Sequence, residues 1–201
     1  KYDIPKDKIR TVGIMPCSAK KGERERAQDV DLVITTRELG RLLKKKGIDL
    51  LRLESTPFDS PLSEYSGGAL LFGVSGGVTE ATLRYACHLL GEDKIEFEEV
   101  RGSKGRKEAY VKAGARTLKL CVVSGLGNAR QVVEDIMSGK IHYDFVEVMA
   151  CPGGCVNGGG QIWQDFSRVS REEVVEKRSK SIYDVDKSKS TRRSFENKDM
   201  Q

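Results

Sequence analysis

The 201-residue sequence has no long apolar run, few aromatic residues and only five cysteines. No uncharged apolar run approaches the ~20 residues that a membrane-spanning helix needs, so we expect no membrane span. The first residues, Lys1 to Pro5, lack the apolar core of a secretory signal, and we therefore predict a cytoplasmic location. The cysteines are too few and too unevenly spaced for a disulfide-stabilised miniprotein. Apolar residues still make up 38% of the chain, enough for a packed core in one domain or two small ones.

The charge is mildly positive and unevenly distributed. The formal net charge is +5, and the residues after position 166 hold ten Lys and Arg against seven Asp and Glu. Basic residues are not interleaved with aromatic side chains, as they are on surfaces that stack single-stranded bases, so we expect no nucleic-acid partner. We divide the chain into a main lobe, residues 1–166, and a basic C-terminal helix and tail, residues 167–201.

Apolar runs and helix-capping signals alternate along the sequence. The predicted strands are 11–15, 48–53, 118–123 and 143–149, with a hairpin around glycines 102–105 that joins 95–100 to 109–112. The predicted helices are 36–46, 77–90 and 128–137, and another that begins at Ser170. This alternation favours an α/β fold with a partly parallel sheet flanked by helices.

Two cysteine motifs directly follow predicted strands. Cys17 comes after the first strand and Cys151 after the last. Ligands of open α/β sheets bind beyond the carboxyl ends of the strands. We therefore predict a metal centre at this edge.

The most informative segment is Cys151-Pro-Gly-Gly-Cys155-Val-Asn-Gly-Gly-Gly160. Five glycines in ten residues imply a backbone that takes unusual angles or approaches something closely. A pair of soft thiolates in such a segment suits an iron–sulfur cluster or zinc. Zinc is the weaker interpretation, because structural zinc sites prefer tighter cysteine spacing and often histidine. The remaining alternative is a surface turn with two incidental thiols.

Cys17 is the third candidate ligand, and Lys20 follows it closely enough to place an ammonium group over an anionic ligand. Cys87 and Cys121 lie within apolar runs and are predicted to be core residues. A cubane cluster normally takes four thiolates. Either one of these two is therefore a ligand, or the fourth ligand lies outside the chain.

These segments resemble a known family. Residues Met15 to Glu23 and Phe145 to Gln161 are similar to two of the three signature motifs of the catalytic subunit of iron-only (FeFe) hydrogenases. The glycine-rich stretches 64–84 and 124–130 fit the same family. The resemblance runs over nearly the whole chain.

The resemblance implies a specific active centre. In this family a 4Fe-4S cubane is joined through a cysteine to a di-iron subcluster that carries CO, cyanide and a bridging dithiolate, where H₂ is made or oxidised. By position, Cys17, Cys151 and Cys155 would ligate the cubane, and Cys155 would also bridge to the di-iron unit. Lys20 would donate a hydrogen bond to an iron-bound cyanide, and Glu23 would brace the motif through an ion pair. The residues implied to surround the di-iron unit are Met15, Pro16, Phe72, Gly73 and Met149.

One part of the family pattern is missing. The motif Thr-Ser-Cys-Cys-Pro, which supplies the fourth cubane ligand and a proton-relay cysteine, is absent from the sequence. The resemblance therefore implies a hydrogenase that is active only with another polypeptide or a further segment. That partner would carry the missing motif and accessory iron–sulfur clusters, and an electron carrier or diaphorase subunit would link the enzyme to ferredoxin or NAD.

Two other functions fit the same motifs. A Narf-like iron–sulfur assembly scaffold shares the glycine-rich cysteine motif but binds plain 4Fe-4S clusters. A sensory hydrogenase would use slow H₂ turnover as a signal. Lys20 and the pair Phe72-Gly73 favour the hydrogenase over the scaffold, because they make more sense around cyanide and carbonyl ligands than around a bare cubane.

Overall fold

The computed structural model describes residues 3–27, 30–59 and 64–200. The chain forms two compact units. The first comprises Lys1–Ser55 and Gly158–Asp165, and the second comprises Thr56–Asn157 and Phe166–Gln201. This grouping differs from the division at residue 166, which was based on composition and stays a prediction.

The first unit is built on a two-stranded parallel sheet. Strand β1 (Val12–Met15) pairs with β2 (Leu32–Thr35), and the helices are α1 (Lys20–Ala27) and α2 (Thr36–Lys45). Thr35 caps α2 in a capping box, in which its side chain accepts from the Glu38 N–H and the Glu38 side chain accepts from the Thr35 N–H. This cap begins α2 where the sequence predicts a helix over 36–46.

The strand predicted at 48–53 is wrong. Leu50–Arg52 form a 3-10 turn in which the Asp49 side chain accepts from the Leu51 N–H at 3.1 Å. The Leu51 side chain is 96% exposed. A local side-chain cap thus replaces strand pairing, because Asp readily satisfies nearby backbone donors.

The second unit contains a mixed three-stranded sheet. Its order is β3 (Arg106–Ala113), β4 (Arg116–Ser124) and β5 (Phe145–Met149). Strands β3 and β4 are antiparallel, whereas β4 and β5 are parallel. The hairpin turn lies after Ala113 rather than around residues 102–105. The run 95–100 is not a strand either, although Phe97 and Val100 from it are fully buried.

The helices of the second unit are α3 (Gly67–Leu71), α4 (Gly77–Leu89), α5 (Leu126–Met137) and α6 (Arg171–Ser188). Helices α4 and α5 pack against opposite faces of the sheet, and α3 packs against α4 and α6. One apolar cluster includes Leu83, Cys87, Phe97 and Leu120, and the other includes Cys121 and Val132 from β4 and α5. Both cysteines are fully buried, as predicted. The α/β class and the partly parallel sheet are confirmed.

A buried ion cluster joins α4, α6 and the C-terminal tail of the second unit. Arg84 donates to both carboxylate oxygens of Asp186 and to Glu80, each at 2.8 Å. Arg101 donates twice to Glu80 at 2.7 Å, and Arg192 donates to Asp186 at 2.6 Å. The side chains of Glu80 and Asp186 are fully buried. Because unpaired buried charges are costly, these contacts depend on one another.

Candidate metal centre

The first unit places four of the predicted site residues in one short segment. Met15 ends β1, Pro16 and Cys17 follow it, and Lys20 begins α1. The Pro16 carbonyl accepts from the Gly160 N–H at 3.0 Å. A Cβ at Gly160 would lie 2.8 Å from the Thr35 side chain and 3.0 Å from the Pro16 carbonyl carbon. The last glycine of the cysteine motif therefore permits close packing against the turn that carries Cys17.

Lys20 and Glu23 form an ion pair on the first turn of α1. The resemblance implied an ion pair for Glu23 without naming its partner, and in the structure Glu23 pairs with Lys20. The Lys20 side chain is 44% exposed. Its ammonium group thus lies near the surface of the unit, close to Cys17 in the chain.

The second unit holds Cys151 and Cys155 in a tight loop after β5. Between them, Gly153 and Gly154 have φ angles of +80° and +99°, a conformation that only glycine adopts readily. The Gly154 N–H donates to the Cys151 carbonyl at 3.0 Å, and Cys155–Asn157 form a 3-10 turn. The spacing of the two half-buried thiols is therefore set by the backbone.

Residues 73–75 form the other wall of this loop. The Ser75 N–H donates to the Gly153 carbonyl at 3.2 Å, and the Val156 N–H donates to the Gly73 carbonyl at 2.9 Å. A Cβ at Gly154 would lie 2.7 Å from the Ser75 nitrogen. The predicted pocket residue Gly73 is thus in direct contact with the cysteine loop.

Two other predicted pocket residues belong to the same unit. Phe72 immediately precedes Gly73 and is 51% exposed. Met149 is the last residue of β5, is half-buried, and pairs in register with Ser124. The second unit therefore brings Gly73 into contact with the loop that carries Cys151 and Cys155, and Phe72 is the residue before it.

Three supporting residues were not identified from the sequence. The Ser124 hydroxyl accepts from the Gly153 N–H at 3.2 Å, and Arg178 donates to the Val156 carbonyl at 2.8 Å. Burial lowers the pKa of Arg178. The third supporting residue is Ser75, whose N–H donates to the Gly153 carbonyl. Ser124 and Ser75 lie in glycine-rich stretches that the family resemblance had already indicated, whereas Arg178 gave no sequence signal.

The donor set fits an iron–sulfur cluster. It consists of thiols in a glycine-rich loop, and thiolates are the ligands that such clusters use. Among residues 3–27, 30–59 and 64–200, no three His, Cys, Asp or Glu side chains form a group that could hold a single metal ion. In a cluster each thiolate binds a different iron atom, so its ligands need not surround one ion. The assignment of Cys17, Cys151 and Cys155 as the ligand set stays a prediction.

Cys87 and Cys121 lack the surroundings of metal ligands. Burial is the main cause that raises the pKa of both thiols. Metal ligation requires the thiolate. Both side chains lie fully buried in the apolar clusters of the second unit, as expected for core residues, and that the fourth ligand lies elsewhere stays a prediction.

No helix in the described part of the chain is long and apolar enough to span a membrane.

The comparisons with known proteins agree with the motifs. The family model for the iron-only hydrogenase large subunit, C-terminal domain, matches residues 1–159. The chain is 45% identical over 204 residues to the NADP-reducing hydrogenase subunit HndD of Solidesulfovibrio fructosivorans, covering 96% of this chain and 34% of the relative. It is 47% identical over 171 residues to the periplasmic Fe hydrogenase large subunit of Nitratidesulfovibrio vulgaris, covering 80% and 40%.

A second group of relatives has a different role. The chain is 37% identical over 187 residues to the cytosolic iron-sulfur assembly component 3 of Pongo abelii, covering 83% of this chain and 38% of the relative. The chain therefore spans little more than a third of the curated relatives it matches.

The fold of the chain also resembles that of a known hydrogenase structure. A solved structure of the FeFe hydrogenase HydA1 from Chlamydomonas reinhardtii gives a TM-score of 0.71 at 34% identity, covering 95% of this chain and 57% of that one. Both the family match and this structural likeness extend over most of the described residues. The chain therefore belongs to the iron-only hydrogenase large-subunit family, and it corresponds to the C-terminal domain of that subunit.

Proposed function

We propose that the chain is the cluster-binding part of an FeFe hydrogenase catalytic subunit. When bound, the 4Fe-4S cubane and its di-iron unit with CO, cyanide and a dithiolate supply the reversible conversion of protons and electrons into H₂. The observation that carries the proposal is the cysteine loop, in which two thiols are held by a glycine backbone packed against residues 73–75. A loop with incidental thiols would not require this packing.

Each candidate residue has a defined task in this proposal. Cys17, Cys151 and Cys155 would hold the cubane, and Cys155 would also hold the di-iron unit. Lys20 would donate a charge-assisted hydrogen bond to cyanide. The apolar residues Met15, Pro16, Phe72 and Met149, with Gly73, would exclude water from the di-iron unit.

A further polypeptide segment would complete the site. The chain covers 34% and 40% of the two hydrogenase relatives and lacks the Thr-Ser-Cys-Cys-Pro motif. We infer that the remaining segment supplies the fourth cubane ligand, the proton relay and the accessory clusters. The electron partner would be a ferredoxin-type carrier or a diaphorase subunit.

An assembly scaffold that binds plain 4Fe-4S clusters is the second candidate function. The similarity to the iron–sulfur assembly component favours it. The two functions differ in the di-iron unit, because only the hydrogenase needs Lys20 next to cyanide.

Infrared spectroscopy of the chain, combined with the missing segment and matured with iron and the di-iron unit, tests the proposal. We expect absorption bands of iron-bound cyanide and carbonyl. Iron-loaded protein without these bands, but with a 4Fe-4S signal in electron paramagnetic resonance, would indicate the scaffold instead.

A pair of variants tests the ligand assignment. Cys155→Ala should lose the cyanide and carbonyl bands, because this residue would join both metal units. Cys121→Ala is the matched control, since it removes a thiol from the core without touching the loop, and it should retain the bands. Retention of the bands in Cys155→Ala would refute the assignment.

The cytoplasmic location is also a proposal. One relative is named as periplasmic, so either compartment is represented in the family. Fractionation of cells that produce the whole natural protein, with the chain detected by antibody, would distinguish the two.

A further inference from the structure

Arg37 lies in the first turn of α2, an unusual place for a cation. The helix begins after the Thr35 cap, and Arg37 is its second residue. The free N–H groups at the start of a helix favour negative side chains and disfavour positive ones. Glu38, the next residue, follows this rule, whereas Arg37 does not. The helix itself therefore does not explain the charge at this position.

Arg37 binds three consecutive carbonyls at the end of the cysteine motif. Its Nε donates to the Gln161 carbonyl at 3.0 Å, and one terminal nitrogen donates to the carbonyls of Gly159 and Gln161 at 3.0 and 2.8 Å. The Arg37 backbone N–H donates to the Gly160 carbonyl at 3.0 Å. The planar guanidinium presents its donors in a fixed geometry, so it restrains residues 159–161 as a unit.

The same segment contacts the turn that carries Cys17. The buried Gly160 N–H donates to the Pro16 carbonyl at 3.0 Å, and a Cβ at Gly159 would lie 3.1 Å from the Ser18 hydroxyl. The Pro16 carbonyl belongs to the planar peptide that contains the Cys17 nitrogen. The hydrogen bond from Gly160 therefore restricts the orientation of that peptide, and with it the region in which the Cys17 side chain can lie.

From these contacts we propose that Arg37 is a positioning residue for the thiol of Cys17. It acts through residues 159–161, which it holds against the Pro16 carbonyl. The inference rests on the proposed function, because a fixed thiol matters only if Cys17 binds the cluster. Groups that orient a ligand without touching the metal have this effect in metal sites generally. A purely structural role predicts equal loosening of the whole first unit when Arg37 is replaced, whereas positioning predicts loosening confined to residues 159–161 and Cys17.

Amide hydrogen exchange of the iron-free 201-residue chain, followed by nuclear magnetic resonance, tests the proposal. Arg37→Met keeps a long unbranched side chain but removes every donor, so exchange of the Gly160 N–H should accelerate roughly tenfold or more. Exchange of the Leu32 N–H, which donates to the Thr11 carbonyl in the same unit, should change by less than about twofold. Alkylation of Cys17 by iodoacetamide, measured by mass spectrometry, should accelerate together with exchange at Gly160.

The matched control is Arg41→Met, which makes the same change one turn later on α2 at an exposed residue. Both amides should then exchange within about twofold of the parent rate. Arg37→Lys keeps the charge but lacks the guanidinium fork, so it should also accelerate exchange at Gly160, and it serves if Arg37→Met fails to fold. Equal acceleration at Gly160 and Leu32, or no difference between the Arg37 variants and the control, would overturn the proposal.

A second measurement separates this proposal from the proposed function. The chain is combined with the missing segment and loaded with iron, and the 4Fe-4S signal is recorded by electron paramagnetic resonance. In Arg37→Met we expect an altered line shape, because one thiolate has moved, and a signal identical to the parent would overturn the positioning role. Parent protein that binds no cluster would instead contradict the proposed function, and hydrogen exchange would still show whether Arg37 restrains the Cys17 turn.

Discussion

Replacing Asp186 with Asn should strongly destabilise the second unit. Asp186 accepts two hydrogen bonds from Arg84 and one from Arg192, and its side chain is fully buried. Burial by itself would raise the pKa of Asp186, but the hydrogen bonds from both arginines outweigh it, and the pKa is lowered overall. The native state therefore uses the charged carboxylate. Asn preserves the shape but removes the charge that the buried Arg84 and the half-buried Arg192 require.

The expected loss in free energy of unfolding is about 3–5 kcal/mol, the usual cost of removing one partner of a buried ion pair. With a denaturant dependence of about 2 kcal/mol per M, the urea midpoint should fall by roughly 1.5–2.5 M. The measurement is urea unfolding at 25 °C, followed by far-ultraviolet circular dichroism.

The matched control is Asp184→Asn, two residues earlier on α6. Asp184 is 60% exposed and forms a surface pair with Lys180, so its replacement should cost less than about 0.5 kcal/mol. If both variants unfold at the same urea concentration, the argument that the buried cluster stabilises the unit is wrong.

Three further predictions concern the loop and the first unit. Gly154→Ala should prevent iron binding, because residue 154 has a φ of +99° and its Cβ would lie 2.7 Å from a backbone nitrogen. Iron per chain is the measurement. The control Gly127→Ala, whose Cβ meets nothing within 4 Å, should bind iron normally. Thr35→Ala should lower the stability of the first unit by about 1 kcal/mol, measured by thermal unfolding, because it removes the cap of α2. The hydrogen bond from Lys21 is the main cause that lowers the pKa of Glu38 to about 2. The charged Glu38 side chain therefore contributes its full stabilisation above pH 4.5, and this stabilisation is lost as the pH falls toward 2. A carbon-13 titration that gave Glu38 an ordinary pKa would contradict this.

Local signals in the sequence predicted local structure well. The helices predicted to begin at residue 36 and at Ser170 do begin there, capped by Thr35 and Ser170, and the helix predicted to end at residue 90 is followed by Gly91 at a φ of +76°. In each case the residue satisfies backbone groups or adopts a backbone angle within one turn of the helix. The buried state of Cys121 was equally predictable, because it lies in the apolar run 120–123 within β4.

Features that depend on distant residues were not predictable. The apolar run 95–100 was interpreted as a strand because nothing in it shows that Phe97 packs beneath β3 and β4. The grouping of residues 158–165 with the first unit is likewise invisible in the sequence. For the candidate site, the motif identified the thiols, whereas the contacts of Ser124 and Arg178 with the loop follow only from the fold.

The packing of the cysteine loop against residues 73–75 joins parts of the chain that are far apart in sequence. Gly153 and Ser75, which share a hydrogen bond, are 78 positions apart in the chain. Contacts over such separations form late in folding, because they must overcome the entropy of closing a long loop. The local turn sets the spacing of the thiols, whereas the wall of residues 73–75 is added only when α4 and β5 meet. We therefore expect a chain in which this wall has not formed to bind iron less well, in contrast to small zinc domains, in which the metal drives folding.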